Sequence, residues 1–135
     1  MSVATAAKIK LLSESTDFAA TIWKEIGDLR TVQVFGARLL VAIYFRPEKT
    51  KGGVIRPDSN LDTDAYQSKI GFVLKLGPHA FVSDDDAQFI ERVNGGDYVL
   101  YRASDGFPVD RNGIPCRILR DEQIMMKIDD PTEWF

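Results

Sequence analysis

From Val32 onward the chain is a succession of short apolar runs, each closed by turn-forming residues, with no helical period between them. This pattern constrains the fold more than any other feature, because short strands satisfy their backbone groups only by pairing with one another. Leu39-Leu40-Val41-Ala42-Ile43-Tyr44-Phe45 is continuously apolar and stops at Arg46-Pro47. Its length and its β-branched and aromatic content predict a strand buried on both faces. Ile70, Phe72, Leu74 and Leu76 alternate with Gly71, Val73 and Lys75 and end at Gly77-Pro78. Tyr98-Val99-Leu100-Tyr101 follows Asn94-Gly95-Gly96-Asp97, and Cys116-Arg117-Ile118-Leu119 and Ile124-Met125-Met126-Lys127-Ile128 complete the set. Asn112-Gly113, between Val109 and Ile114, predicts a two-residue hairpin, since a type I′ turn needs positive φ at both positions. The implied class is all-β, a small antiparallel barrel or sandwich.

Residues 1–31 read differently. Phe18, Ile22, Ile26 and Leu29 fall on one helical face, which Ala19 and Trp23 widen. Ser15 or Thr16 is expected to cap the start, Asp17 to sit in the first turn and Gly27 to mark the end. A helix this short is marginal alone, so its apolar face needs either its own sheet or a neighbouring subunit.

The chain has 135 residues, enough for one domain with a core, and is 44% hydrophobic and 27% charged, which is ordinary globular composition. Seventeen Lys and Arg against 20 Asp and Glu leave a net charge of −3, so no nucleic-acid partner is expected. A single histidine, His79, and a single cysteine, Cys116, exclude an intrachain disulfide, a Cys/His zinc site and any triad not built on His79. His79, after Gly77-Pro78, reads as a solvated turn residue, and Cys116 as a small buried apolar side chain. Asp84-Asp85-Asp86 lacks the spaced ligands of a calcium loop and reads as a solvated acidic face. No enzyme, metal or cofactor is expected. Neither a run of about 18 apolar residues nor a charged, uninterrupted leader is present, which points to a cytoplasmic protein with no membrane contact.

The connection from Glu48 to Lys69 is unusually long at about 22 residues, where loops beyond about 12–15 are commonly functional or disordered. Within it, Gly52-Gly53 precedes Val54-Ile55. Two aliphatic side chains at the tip of such a loop suit an apolar groove on a partner.

Four segments resemble the GroES family, the ten-kilodalton co-chaperonins that cap chaperonin rings. They are Arg38-Leu39-Leu40-Val41, Gly52-Gly53-Val54-Ile55, Gly71-Phe72-Val73-Leu74-Lys75-Leu76-Gly77 and Val93 to Tyr101. Their order and spacing span Val32 to Ile128, with an N-terminal helical extension over residues 1–31 and a tail over 129–135. The resemblance implies a small antiparallel β-barrel assembled as a homo-oligomeric ring. It also implies a chaperonin partner engaged through Gly52, Gly53, Val54 and Ile55. By the same resemblance, Val32, Val34 and Phe35 of one subunit meet Ile124, Met125 and Met126 of the next.

Three features depart from that family. Val54-Ile55 is followed by Arg56-Pro57 in place of a third aliphatic residue, and a guanidinium is costly in an apolar groove. The early Pro-Leu-x-Asp-Arg of the family is Val34-Phe35-Gly36-Ala37-Arg38, with the arginine kept. Residues 1–31 and 129–135 are additions, and Trp134 and Phe135 suggest tail contacts with another surface. The arms at both ends also suit an alternative: a virion capsid or tail protein that reuses the barrel and contacts other virion proteins.

Overall fold

The structure, a computed structural model, describes residues 7, 8, 10–12, 17–45, 69–81 and 93–134. Its centre is β1 (Arg38–Ile43), paired with β2 (Ile70–Leu76) on one side and β5 (Ile114–Arg120) on the other. Beyond β2 lie β3 (Tyr98–Tyr101) and then β6 (Ile124–Ile128); beyond β5 lies β4 (Phe107–Arg111). Every pairing is antiparallel, and the order is β4-β5-β1-β2-β3-β6. The all-β class therefore holds. Among the described residues, however, the sheet does not close into the expected barrel. Closure requires the two end strands to pair, whereas β4 pairs only with β5 and β6 only with β3.

The strand signals map closely onto these elements. The apolar run predicted to be buried on both faces is β1, which continues into the buried Tyr44 and Phe45. Asn112 and Gly113 take φ of 51° and 79° and join β4 to β5, as a type I′ turn requires. Alternation along the strands gives the sheet two apolar faces. One carries Leu39, Val41, Val73, Val99, Tyr101 and Leu119. The other carries Leu40, Ala42, Phe72, Leu74, Ile114 and Cys116.

The second face is covered by α1 (Phe18–Glu25), whose Phe18, Ile22 and Ile26 are buried in the same cluster. Of the two surfaces open to the helix, it is the chain's own sheet that it packs on. Phe18 meets Tyr44 edge-on at 4.9 Å and Phe72 at 6.2 Å between ring centres. The helix start differs from expectation. Asp17 is the N-cap: its backbone is extended and its carboxylate accepts from Ala20 N at 3.1 Å, so neither Ser15 nor Thr16 is needed there. At the other end Ile26 caps the helix and Gly27 turns the chain at φ +85°, which leaves Leu29 beyond the helix but still packed on the cluster. Trp23 is not part of the buried face and is 44% exposed. At about 100° per residue it sits roughly 140° round from Phe18. Residues 7, 8 and 10–12 are also helical; Leu12 is buried, and Lys8 pairs with Glu25 and holds that carboxyl below its usual range.

Two local contacts tie the sheet together. A Cβ on Gly77 would lie 2.3 Å from Gly36 O, so only glycine lets Gly77 N donate to Arg38 O at 2.8 Å and His79 N to Gly36 O at 3.0 Å. The buried Arg117 donates to Ala103 O and, at 2.8 Å, to Asp105 O, with its guanidinium 5.6 Å from the Tyr101 ring centre.

Ile22→Ala should remove about 2–5 kcal/mol of stability, seen as a lower urea midpoint. Cys116 provides a second check. Burial pushes its thiol from 9.0 up to about 12. Below about pH 9 this shift leaves stability untouched; between there and pH 12 the unfolded chain ionises its thiol first, so stability falls as pH rises. At pH 8 a thiol reagent should label the folded protein only at the rate of opening, and denaturant should make labelling immediate.

Candidate functional site

The long connection holding Gly52, Gly53, Val54 and Ile55 falls within residues 46–68, outside the described residues, but both of its roots are described. Ile43 lies opposite Gly71, and Tyr44 N donates to Ile70 O at 3.0 Å. Phe45 is buried, and Lys69 O accepts from Tyr101 N at 2.9 Å. The connection thus leaves and rejoins the sheet at neighbouring positions, held by buried aromatic side chains. Loop-closure entropy grows only slowly with length, so a firm root tolerates a long excursion.

The two edges of the sheet form the second set of features. β6 pairs with β3 through Tyr98 opposite Ile128, Val99 opposite Lys127, Leu100 opposite Met126 and Tyr101 opposite Ile124. Its other edge has no strand beside it among the described residues. Met125 is 60% and Met126 37% exposed, while Ile124 is half-buried. The segment expected to meet such an edge has no regular secondary structure: Val32 and Val34 are half-buried, Val34 against the helix-covered cluster, and Phe35 is 66% exposed. An open strand edge with exposed apolar side chains is a template for another chain. At the opposite edge β4 exposes Phe107, which sequence reasoning did not single out. Pro108 beside it was the available signal, because proline sits in strands mainly at edges.

The remaining candidates separate clearly. His79 is exposed in the turn after β2, and Cys116 is buried in β5. Among the described residues no group of three His, Cys, Asp or Glu side chains could hold a metal ion. Trp134 is 43% exposed and follows a short 3₁₀ turn, Pro131–Glu133. Phe135 and Asp84-Asp85-Asp86 lie outside the described residues. No helix among those described is long and apolar enough to cross a membrane.

Comparison with known proteins bears on the same span. The model of the chaperonin 10 Kd subunit family matches residues 31–128. The co-chaperonin GroES of Desulfotalea psychrophila is 36% identical over 88 residues, covering 65% of this chain and 87% of that protein. Those of Caldicellulosiruptor saccharolyticus and Caldicellulosiruptor bescii are each 26% identical over 99 residues, covering 73% of this chain and 98% of theirs. The matched span contains all six strands found among the described residues, both roots of the long connection and the outer edge of β6, and on that basis the chain belongs to the chaperonin 10 Kd subunit family.

Proposed function

We propose that the chain acts as a co-chaperonin, a ring subunit that binds a chaperonin through Gly52-Gly53-Val54-Ile55 and assists protein folding. The observation that carries this reading is the family match over residues 31–128, with relatives named co-chaperonin GroES. The residues supply the physical logic. Val54 and Ile55 offer aliphatic surface to an apolar groove, and the two preceding glycines let the backbone adapt. Two aliphatic side chains bury little apolar area, which keeps each site weak. A ring carries many such loops, and effective concentration turns weak sites into firm capture. The work is contact and requires no cofactor.

The same proposal assigns the subunit interface. Val32, Val34 and Phe35 of one copy add to the outer edge of β6 in the next, alongside Ile124, Met125 and Met126. Backbone pairing along such an edge also shields the exposed methionines.

Two measurements test this. Light scattering on the purified chain should give a mass several times 15.1 kDa; a monomer at micromolar concentration overturns the ring. Val54→Ser with Ile55→Ser should weaken ATP-dependent capture by a chaperonin by at least tenfold, since two buried aliphatic contacts are lost. If the unmodified assembly is never captured and is instead recovered from purified virus particles, the co-chaperonin reading fails and a virion role replaces it.

A further inference from the structure

We propose that the segment after β6 docks, through Trp134, into a groove beside α1 of a neighbouring copy. The inference rests on the ring interface proposed above and adds a contact to it.

The groove has a volume of about 340 Å³ and lies between the C-terminal end of α1 and β2, lined by Trp23, Asp28, Leu29, Arg30, Leu74 and Lys75. Its apolar wall is the Trp23 ring, which touches Phe72 at 5.4 Å between centres yet remains 44% exposed. Its rim is cationic. Lys75 Nζ donates to Leu29 O at 2.6 Å, and behind the lining Arg111 donates to Ile26 O at 3.0 Å and Asp28 O at 2.8 Å. Arg30 pairs with Asp28 at 2.8 Å but keeps 90% of its side chain in water. Two cations, Arg30 and Lys75, thus line the groove with one carboxylate, Asp28.

The proposed occupant has the opposite character. Residues 129–134 carry Asp129, Asp130 and Glu133 and no cation. They are not a loose arm: Pro131 is buried, and the Asp130 carboxylate accepts from Thr132 N at 3.0 Å and Oγ1 at 2.6 Å. That turn presents Trp134 at a fixed place, partly exposed beside an acidic stretch. An aromatic anchor flanked by carboxylates fits an aromatic wall flanked by Lys and Arg, through apolar burial, cation–π contact and charge pairing.

Connectivity brings the two together. The groove residues Asp28, Leu29 and Arg30 lie just before Val32–Phe35, and the acidic segment begins just after Ile128. All five pairings within the sheet are antiparallel. If Val32–Phe35 joins the neighbour's β6 in the same sense, the chain leaving Ile128 runs back past Val32 toward Arg30 and Leu29. The 3₁₀ turn at Pro131–Glu133 keeps Trp134 well inside the about 20 Å that six extended residues would span, and Val32 N donates to Leu29 O at 3.0 Å, so both ends stay close to the strand pairing. Trp23, Asp28, Leu29 and Arg30 precede the family-matched span and Trp134 follows it. The contact would be an addition of this chain, made by the two ends that the ring interface places side by side.

Sedimentation of the full chain over a range of concentrations tests the proposal. Trp134→Ala should raise the concentration of half-assembly at least tenfold. Arg30→Glu should do the same, and combining it with Glu133→Lys should restore most of the loss. A labelled peptide of residues 129–135 should bind the full-length Trp134→Ala chain and lose that binding when Trp23→Ala is added. A parent chain that stays monomeric overturns the ring reading, and the contact with it. An assembled parent unmoved by Trp134→Ala and Arg30→Glu overturns the tail contact alone. Peptide binding without any change in assembly places the segment on its own copy and likewise overturns the contact.

Discussion

The burial of β1 on both faces is the constraint from which the rest follows. Leu39 and Val41 face one cluster, Leu40 and Ala42 the other, and the strand is hydrogen-bonded on both edges. A strand in that position needs apolar cover above and below, and the sheet alone covers only one side. Phe18, Ile22 and Ile26 of α1 supply the other cover. Without the helix, Leu40, Phe72, Leu74 and Ile114 would form an exposed apolar face of the kind soluble monomers seldom keep. The helix is therefore part of the core although it precedes the family-matched residues.

That buried centre fixes where the long connection is rooted. The long connection springs from β1 and rejoins at β2, so its roots are held by the best-packed strands in the molecule. The end strands among the described residues carry the opposite burden, with Met125 and Phe107 exposed. A firm root for a loop that binds, and open edges for assembly, are the arrangement that the proposed ring co-chaperonin would use. Both features belong to one topology: strands central to the sheet root the long connection, and a strand at its end is the one that the proposed ring would pair with a neighbour.

Much of this was legible from residue order. The Ile70–Leu76, Tyr98–Tyr101 and Ile124–Ile128 runs coincide with β2, β3 and β6, because short apolar runs bounded by turn-forming residues are a local signal. Asn112-Gly113 named its hairpin because left-handed backbone is itself a residue preference. Helix boundaries were less legible. Asp17 caps the helix in place of Ser15 or Thr16, since several adjacent polar residues can all serve and the backbone angle at one of them decides. Trp23 and Phe107 could not be placed from hydrophobicity alone, because an aromatic residue at the border of a face is buried or exposed according to what packs beside it.

The order of residues alone determined the element types, the turn positions and the family pattern, all of which depend on neighbours a few positions apart. Tertiary structure decided three things that no local signal carries. It placed α1 on its own sheet, left β4 and β6 as the end strands among the described residues, and brought Trp23, Leu74 and Lys75 together around one groove. Each of these depends on contacts between residues tens of positions apart, and such contacts exist only once the strands have chosen their partners.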